Sequence, residues 1–303
     1  NIVNEPRIRV KESPGNDRGR HFRVSCRHTR KGCSMNHDDY GYIALDLDGT
    51  ILNADYVLSD SVREVLKACR RIGKKVIIST GRVLSSAKAQ ISSLERVDGF
   101  VCSNGADIYQ GSGQSIAHFH MDKTLSREIY LLAREFDSHY HAYLGDSWCY
   151  ERRNAYTDYY VKRAGKEGLR TNFDSVGTLE FTKFMFMDDH EKLEPIRMKL
   201  VERFGSTVQI VYSAPFMLEI VVAGVSKATG LKLCVENLGG SLREVIAFGD
   251  AENDEDMLLS SGMGVAMGNA SEELKVKAAA VAPSVDDDGV AVFLKDFFSL
   301  QSL

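Results

Sequence analysis

The sequence predicts an α/β fold in which helices cover a parallel β-sheet and a second unit of mixed helices and strands is inserted between the two halves of that sheet. Three observations support this class. Short apolar runs alternate with helical patterns in the first and last thirds of the chain. Polar clusters follow these runs directly. The middle third has strand patterns that come in pairs, which is typical of antiparallel pairing.

The first and last thirds contain four apolar runs that predict buried strands. Strands that are apolar at successive positions are typical of parallel sheets, because helices cover both faces. The first predicted helix has an apolar face of Val62, Val65, Leu66 and Cys69. In order, we predict a strand over 43–47, a helix ending near Gly73, strands over 75–79 and 245–248, a helix around 254–259, a strand over 265–267 and a helix over about 271–280.

The middle third predicts the order α-β-β-α-β-α-β-β, which suits an antiparallel sheet with helices on one face. The predicted elements are a helix over 125–138, strands over 141–144 and 148–151, a helix near 156–167, a strand over 181–187, a helix over 191–204 and strands over 208–212 and 217–222. We therefore expect a core domain made of residues 40–121 and 223–303, with residues 122–222 inserted into it.

Composition limits the class of protein. The 303 residues are 44% hydrophobic and 26% charged, which is typical of soluble globular proteins and allows about two domains. No apolar run approaches the roughly 18 residues of a membrane helix, and there is no apolar signal-peptide core. The six cysteines have no metal-ligand spacing, so we expect free thiols and a cytoplasmic protein.

The charge is unevenly distributed. The first 35 residues hold nine Lys or Arg and three Asp or Glu, although the whole chain has a net charge of −4. Such a segment is compatible with a nucleic-acid arm or a targeting peptide. Since it lacks a sustained apolar period, we expect residues 1–39 to be a disordered or artificial basic extension. The acidic remainder predicts no nucleic-acid binding, because phosphate contacts need clustered Lys and Arg.

Four polar clusters stand where predicted strands or helices meet loops. Ligands of an open parallel sheet bind beyond the carboxyl ends of its strands. The clusters offer carboxylates for a hard cation such as Mg²⁺, and a hydroxyl, backbone amides and a lysine for phosphate oxygens. A carboxylate can also act as the nucleophile in phosphoryl transfer. The clusters are Asp46-Leu47-Asp48-Gly49-Thr50, Ser79-Thr80-Gly81-Arg82, Ser226-Lys227 and Gly249-Asp250-Ala251-Glu252-Asn253-Asp254.

In order and separation, these clusters resemble motifs I to IV of the haloacid dehalogenase (HAD) superfamily of phosphatases. The segments SNGADIY at 103–109 and GVSKATGL at 224–231, and the tail that begins at Gly249, resemble its Cof-like, class IIB subgroup. The insertion between Arg82 and Lys227 resembles a C2-type cap. The resemblance covers about 40–300 and implies a Rossmann-like core with an inserted α+β cap of the C2B type.

The resemblance also implies a role for each matched residue. Asp46 would attack phosphorus, and Asp48 would protonate the leaving oxygen and then activate water. The remaining implied roles are Mg²⁺ binding by the Asp46 side chain, the Asp48 backbone carbonyl and Asp250, phosphate binding by Thr80, Gly81, Lys227 and Asn253, and support of the metal site or the lysine by Asp254.

Other interpretations of single motifs are weaker. A calcium loop also begins with DxDG, but Thr50 and Val57 stand where an EF-hand has its ligands at positions 5 and 12. Asn104-Gly105 predicts a hairpin turn with a structural role. The histidines have no matched metal geometry and are interpreted as cap or linker residues (118, 120, 139 and 141).

The predicted function is that of a Mg²⁺-dependent phosphatase that hydrolyses a small phosphomonoester, with sugar phosphates as the leading substrate class. Neither nucleic acid nor a membrane is expected as a partner. A phosphomutase or phosphotransferase using the same aspartyl-phosphate is one alternative, and a non-enzymatic phosphate sensor is another. The intact acid/base pair argues against the sensor. The cap groups proposed to contact the leaving alcohol are Arg152, Arg153, Lys183 and Glu219.

Overall fold

The computed structural model describes residues 37–300. In chain order, the strands are β1 (Tyr42–Leu45), β2 (Lys75–Ser79), β3 (Gly99–Cys102), β4 (Asp107–Gln110), β5 (Ser115–His118), β6 (His139–Leu144), β7 (Ser147–Tyr150), β8 (Leu169–Arg170), β9 (Lys183–Met187), β10 (Val208–Ala214), β11 (Met217–Val222), β12 (Val245–Gly249), β13 (Met263–Ala266) and β14 (Ala280–Val281). The α-helices are α1 (Asp60–Arg71), α2 (Leu84–Gln90), α3 (Lys123–Ala133), α4 (Ala155–Ala164), α5 (His190–Phe204), α6 (Lys227–Asn237), α7 (Glu255–Ser260), α8 (Glu272–Lys277) and α9 (Gly289–Phe297).

The first sheet has eight strands in the order β14-β13-β12-β1-β2-β3-β4-β5. Its strands from β14 to β3 are parallel, and β4 and β5 continue the sheet in antiparallel pairing. Alternation along β1 sends Ile43 and Leu45 to a face packed with α1 and α9. Tyr42 and Ala44 point to the other face, which is packed with α6 and α7. This is the helix-covered parallel sheet that the sequence predicts.

The second sheet has six strands in the order β10-β11-β9-β6-β7-β8. All its pairings are antiparallel except that of β7 with the short strand β8. Phe184 and Phe186 of β9 pack with α3 and α5. Met185 and Met187, on the opposite face, pack with Tyr160 of α4. The prediction that the helices lie on one face of this sheet is therefore wrong for α4. Residues 184–187 of β9 are apolar on both faces of the sheet, so the second face must also be covered by a helix.

Several element boundaries differ from the prediction. The strand predicted over 43–47 ends at Leu45, because the Leu47 carbonyl accepts the amides of residues 50, 51 and 52 and closes a turn. The helix predicted to reach residue 280 ends at Lys277, and Ala280 instead pairs in β14. The sequence pattern predicts no strand at β3 or β5 and no helix at α9. The hairpin predicted at Asn104 is confirmed, since β3 and β4 pair around it.

The remaining general predictions concern the termini, membranes and cysteines. Of the basic extension predicted over 1–39, residues 1–36 lie outside the described part of the chain, and His37–Asp39 form a short 3₁₀ helix. Within residues 37–300, no helix is both long and apolar enough to cross a membrane. Four cysteines of this range are buried and free of disulfides, namely Cys69, Cys102, Cys149 and Cys234.

Candidate active site

The candidate active site lies at the carboxyl ends of three neighbouring parallel strands. Leu45 of β1 is in register with both Ile78 of β2 and Phe248 of β12. The residues that follow these strands therefore leave the sheet side by side, as expected for the ligand-binding edge of an open parallel sheet. The Asp46 amide extends the ladder by one bond, donating to the Phe248 carbonyl at 3.1 Å.

Lys227 connects two of the polar clusters. It is the first residue of α6, which begins at the N-cap Ser226. Its Nζ donates to Asp46 Oδ1 at 2.7 Å and to Asp254 Oδ1 at 2.6 Å, and its side chain is 1% exposed. Burial alone would lower the pKa of Lys227, but Asp254 and Asp46 outweigh it and raise that pKa above its usual value. The lysine therefore stays charged inside the protein.

Three carboxylates, those of Asp46, Asp250 and Asp254, have oxygens within 4.8 Å of one another. Burial raises the pKa of Asp46 well above its usual value, and Lys227 opposes that rise. Burial, with a further contribution from Asp254, raises the pKa of Asp250 to about 7. When all three carboxylates are ionised, they leave two negative charges that Lys227 does not balance. The cluster therefore fits a divalent cation with oxygen ligands, such as Mg²⁺.

The three carboxylates differ in how many of their oxygens already accept hydrogen bonds from the protein. Asp254 Oδ2 accepts the amides of Asp250 and Ala251 at 3.0 and 3.1 Å, and its Oδ1 accepts from Lys227. Since both its oxygens are engaged, Asp254 is suited to holding this loop and the lysine in place. The side chains of Asp46 and Asp250 are better placed to hold a metal.

The backbone approaches Asp250 closely at Gly49. This glycine has a φ of +83°, and a Cβ there would stand 2.4 Å from Asp250 Oδ2. Thr50 donates to Asp250 Oδ1 at 3.0 Å, and Asn269 donates to the Gly49 carbonyl at 2.9 Å. Glycine is therefore required at position 49, between Asp48 and Thr50, both for its backbone conformation and for the space beside Asp250.

The Asp48 side chain is held by two guanidinium groups. Arg82 binds it in bidentate fashion, with Nε at 2.9 Å from Oδ2 and a terminal nitrogen at 2.6 Å from Oδ1. Arg163 of α4 donates to Oδ2 at 3.1 Å. Burial would raise the pKa of Asp48, but the two arginines outweigh it and lower that pKa below its usual value. The predicted pair of aspartates thus has two different environments.

The predicted phosphate-binding residues are brought to the same edge but are not equally accessible. Gly81 and Asn253 line a small cavity together with Asp46 and Asp48. Thr80 is fully buried, and its hydroxyl accepts the Arg82 amide at 3.2 Å. Thr80 is not among the residues that line this cavity. Reaching a phosphate oxygen would therefore require the Thr80 hydroxyl to give up its present contact or to share it.

Residues of the inserted segment form the opposite wall of the cavity, including Tyr160, Arg163, Ser213 and Glu219. Lys183 forms a buried ion pair with Glu219 at 2.6 Å and also donates to the Gly81 carbonyl at 2.6 Å. Two of the four predicted specificity residues are thus close to the site.

The other two predicted specificity residues lie elsewhere. Arg152 and Arg153 are exposed, and Arg153 pairs with Asp158 and Glu167. The structure does not bring either arginine to the cavity.

The four histidines lie outside the metal-ligand cluster found within residues 37–300. His139 Nε2 is 3.2 Å from His141 Nδ1, and both rings are buried in the second sheet. Burial lowers the pKa of His139 to about 4. His118 and His120 stack on each other near the end of β5.

Sequence reasoning missed three residues of this site. Arg82 was noted within its cluster but received no role, although its neighbours Thr80 and Gly81 did. Asn104 was interpreted only as a turn residue, yet its side chain donates to Glu219 at 2.8 Å and accepts from Asn253 at 3.0 Å. Arg163 had no signal of its own, because it belongs to an ordinary helical pattern far from the motifs in sequence.

Residues 43–294 match the sequence profile of a family described as haloacid dehalogenase-like hydrolases. The chain belongs to this family. The HAD-like chain is 30% identical over 276 residues to the 5-amino-6-(5-phospho-D-ribitylamino)uracil phosphatase YitU of Bacillus subtilis, an alignment that covers 85% of this chain and 97% of the relative.

Two further comparisons differ in kind. The HAD-like chain is 29% identical over 273 residues to the chloroplastic endoribonuclease YBEY of Arabidopsis thaliana, which covers 86% of this chain but about half, 47%, of that relative. Among solved structures, the HAD subclass IIB sugar phosphatase BT4131 superposes with a TM-score of 0.75 at 22% identity, covering 85% of this chain and 98% of that one. This last similarity shows the fold.

Membership of the HAD-like hydrolases confirms the predicted resemblance and, together with the superposition, the predicted fold class. The chain is a hydrolase with a Rossmann-like parallel sheet and a second α+β sheet built from an insertion.

Proposed function

We propose that this HAD-like hydrolase is a Mg²⁺-dependent phosphatase that hydrolyses small phosphomonoesters through an aspartyl-phosphate on Asp46. The observation that carries the proposal is the separation of the two aspartates of the first cluster. Asp46 faces an ammonium and a carboxylate cluster suited to a divalent cation, whereas Asp48, two residues later, is bound by guanidinium groups. One carboxylate is thus arranged as a nucleophile and the other as a separate proton carrier.

In the proposed reaction, Asp48 first takes up a proton from solvent and gives up its ion pairs with Arg82 and Arg163. A carboxylate oxygen of Asp46 then attacks phosphorus, the bond from phosphorus to the leaving oxygen breaks, and Asp48 gives that oxygen its proton. Asp48 then takes a proton from water, whose oxygen attacks phosphorus. The bond between phosphorus and Asp46 breaks, which releases inorganic phosphate and restores the carboxylate. Lys227, Asn253, Thr80 and the Gly81 backbone amide would bind the phosphoryl oxygens.

The metal would be held by the Asp46 side chain, the Asp48 backbone carbonyl and Asp250. When bound, Mg²⁺ would supply positive charge to the transferring phosphoryl group. The carboxylate cluster supports this assignment, because its three acids exceed the charge of Lys227 by two when ionised, and a bound cation would favour that ionised form.

The same proposal assigns a domain to each of the two sheets. Residues 40–121 and 223–303 would form the core domain, and residues 122–222 would form a cap that closes over the site, excludes water and selects the leaving group. Cap residues already line the cavity beside Asp46, which supports this role and favours a small substrate. Sugar phosphates are the first class to test. The buried free thiols agree with a reducing location such as the cytoplasm.

The experiment is phosphate release from a panel of phosphomonoesters that includes hexose, pentose and polyol phosphates, nucleotides, flavin mononucleotide and p-nitrophenyl phosphate. We expect turnover with Mg²⁺, none with EDTA, and a loss of at least about 10³-fold in kcat for Asp46→Asn. Asp55→Asn, an exposed aspartate nine residues along, is the matched control. Lack of release from every substrate in Mg²⁺ would refute the hydrolase, and exchange of labelled phosphate between sugars would then favour a mutase.

A further inference from the structure

Arg163 is a charged residue of the cavity that the proposed reaction does not use. It lies in the last turn of α4, on the inserted segment, and its side chain is 16% exposed. It lines the same cavity as Asp46 and Asp48. Its guanidinium group therefore stands beside the proposed proton carrier, on the part of the cavity wall that the inserted segment contributes.

The backbone at the end of α4 holds Arg163 in this position. A terminal nitrogen of Arg82 donates to the Arg163 carbonyl at 2.5 Å, and the Ser86 hydroxyl donates to the Ala164 carbonyl at 2.9 Å. The helix then ends at Gly165, which has a φ of +68°. These contacts fix the end of the helix against the loop after β2. The Arg163 side chain thus starts from an anchored position and does not depend on Asp48 alone.

The two guanidinium groups at Asp48 differ in their spare hydrogen-bonding capacity. Arg82 uses all three of its nitrogens, on Asp48, on Ser86 and on the Arg163 carbonyl. Arg163 uses one terminal nitrogen on Asp48 and also donates a hydrogen bond to the Tyr56 hydroxyl, and its guanidinium lies 6.0 Å from the centre of the Tyr56 ring. A guanidinium group has five N–H donors. Arg163 therefore keeps donors for a further acceptor in the cavity.

The charges around Asp48 point to the kind of acceptor. Within residues 37–300, the ion pairs of Arg82 and Arg163 both end on the single carboxylate of Asp48. The nearby Lys183 and Glu219 balance each other. One positive charge thus remains unmatched on the side of the cavity where the proton carrier meets the leaving oxygen. A guanidinium group binds carboxylates and phosphates through paired hydrogen bonds.

We propose that Arg163 binds an anionic group on the leaving part of the substrate, so that the preferred substrates are phosphate esters whose leaving group carries a carboxylate or a second phosphoryl group near the ester oxygen. This inference rests on the proposed phosphatase function and narrows its substrate class. Among sugar-derived substrates, it favours phosphorylated sugar acids and closely spaced bisphosphates over neutral sugar phosphates. In this role Arg163 determines specificity, while the bond-breaking steps stay with Asp46 and Asp48.

The test uses substrate pairs that differ only in the anionic group. 2-Phosphoglycerate is compared with glycerol 2-phosphate, in which a hydroxymethyl group replaces the carboxylate, and ethylene glycol bisphosphate is compared with 2-hydroxyethyl phosphate, in which a hydroxyl group replaces the second phosphate. We expect the wild-type kcat/KM to be about tenfold or more higher for the anionic member of at least one pair, which is the size of one charge-assisted hydrogen bond. The pair that shows the preference distinguishes a carboxylate from a phosphoryl group.

Variants distinguish a role of Arg163 in substrate specificity from a purely structural role in holding the cap against the core. Arg163→Gln should bring the ratio of kcat/KM within the preferred pair to about one, and Arg163→Lys should retain part of it. Lys162→Gln removes an exposed charge from the same helix and should leave the ratio unchanged. A wild-type ratio near one in both pairs would overturn the inference, as would an equal loss on both members of the preferred pair in Arg163→Gln. Absence of turnover of the neutral and the anionic members alike, together with lack of release across the whole phosphomonoester panel, would instead refute the phosphatase itself.

Discussion

Replacing Lys183 by methionine is expected to destabilise the inserted segment strongly. Lys183 Nζ lies 2.6 Å from Glu219 Oε2 and 2.6 Å from the Gly81 carbonyl, and the Lys183 and Glu219 side chains are 1% and 3% exposed. Methionine has a similar length and no charge, so Lys183→Met leaves Glu219 as a buried carboxylate without its cation. The remaining donors to Glu219 are Asn104, at 2.8 Å, and the Ser213 hydroxyl.

The expected size follows from the desolvation of the remaining charge. Removal of one partner of a buried ion pair costs about 3–5 kcal/mol, because the other charge stays buried without compensation. The double variant Lys183→Met with Glu219→Gln removes both charges and keeps an amide that Asn104 and Ser213 can still bind. We therefore expect the double variant to lose only about 1–2 kcal/mol. The second substitution should thus recover stability.

Urea unfolding followed by tryptophan fluorescence reports on the stability of the inserted segment, which contains Lys183. The single tryptophan, Trp148, lies in β7 of the second sheet and packs in the cluster of Tyr143 and Tyr160. Lys199→Met is the control, because that lysine pairs with Glu135 while the two side chains are 53% and 50% exposed, and its loss should cost less than about 1 kcal/mol. A loss below about 1 kcal/mol for Lys183→Met, or a double variant no more stable than the single one, would refute the reasoning.

Three further predictions concern the metal site and the buried histidines. Gly49→Ala should raise the Mg²⁺ concentration needed for half-maximal activity by about tenfold or more, since its Cβ would press on Asp250 and its φ is positive; an unchanged Mg²⁺ dependence would contradict this. Mg²⁺ should raise the unfolding temperature of the wild type but not of Asp250→Asn, because only the wild type keeps both predicted ligand side chains; equal shifts in scanning fluorimetry would argue against the site. The pKa of His139 is about 4 in the folded protein and 6.5 in the unfolded chain, so between these pH values the unfolded chain binds one more proton. The free energy of unfolding should therefore fall by up to about 3 kcal/mol as the pH drops from 6.5 to 4. His139→Gln should lack this part of the pH dependence in urea unfolding, and a curve identical to the wild type would count against it.

The position of the site could be predicted because it depends on local patterns. Apolar strands end in polar residues at Asp46, Ser79 and Asp250, and parallel strands place such ends at one edge. These features need only the order of the elements and the direction of the strands. Lys227 was identified in another way, from the resemblance of residues 224–231 to the Cof-like subgroup. The structure accordingly brings Asp46, Lys227 and Asp250 together.

The features that could not be predicted depend on packing between distant elements. Arg163 reaches Asp48 only because α4 covers the second face of its sheet, whereas the sequence pattern predicted all helices on one face. Lys183 interrupts an apolar run, which marks it as unusual, but its partner Glu219 follows from the pairing of β9 with β11. The role of the Asn104 side chain also depends on the loop that carries Asn253. Such contacts are set by tertiary geometry and leave no periodic signal in the chain.

The central claim is that Asp46 carries the phosphoryl group during turnover, and rapid acid quenching followed by peptide mass spectrometry tests it most directly. Enzyme quenched while it turns over its best substrate in Mg²⁺ should carry the mass of one phosphoryl group on the peptide that contains Asp46. Asp46→Asn and EDTA-treated enzyme should lack this adduct. A phosphoryl group on another residue, or steady turnover with no adduct on any peptide at the earliest quench times, would contradict the account.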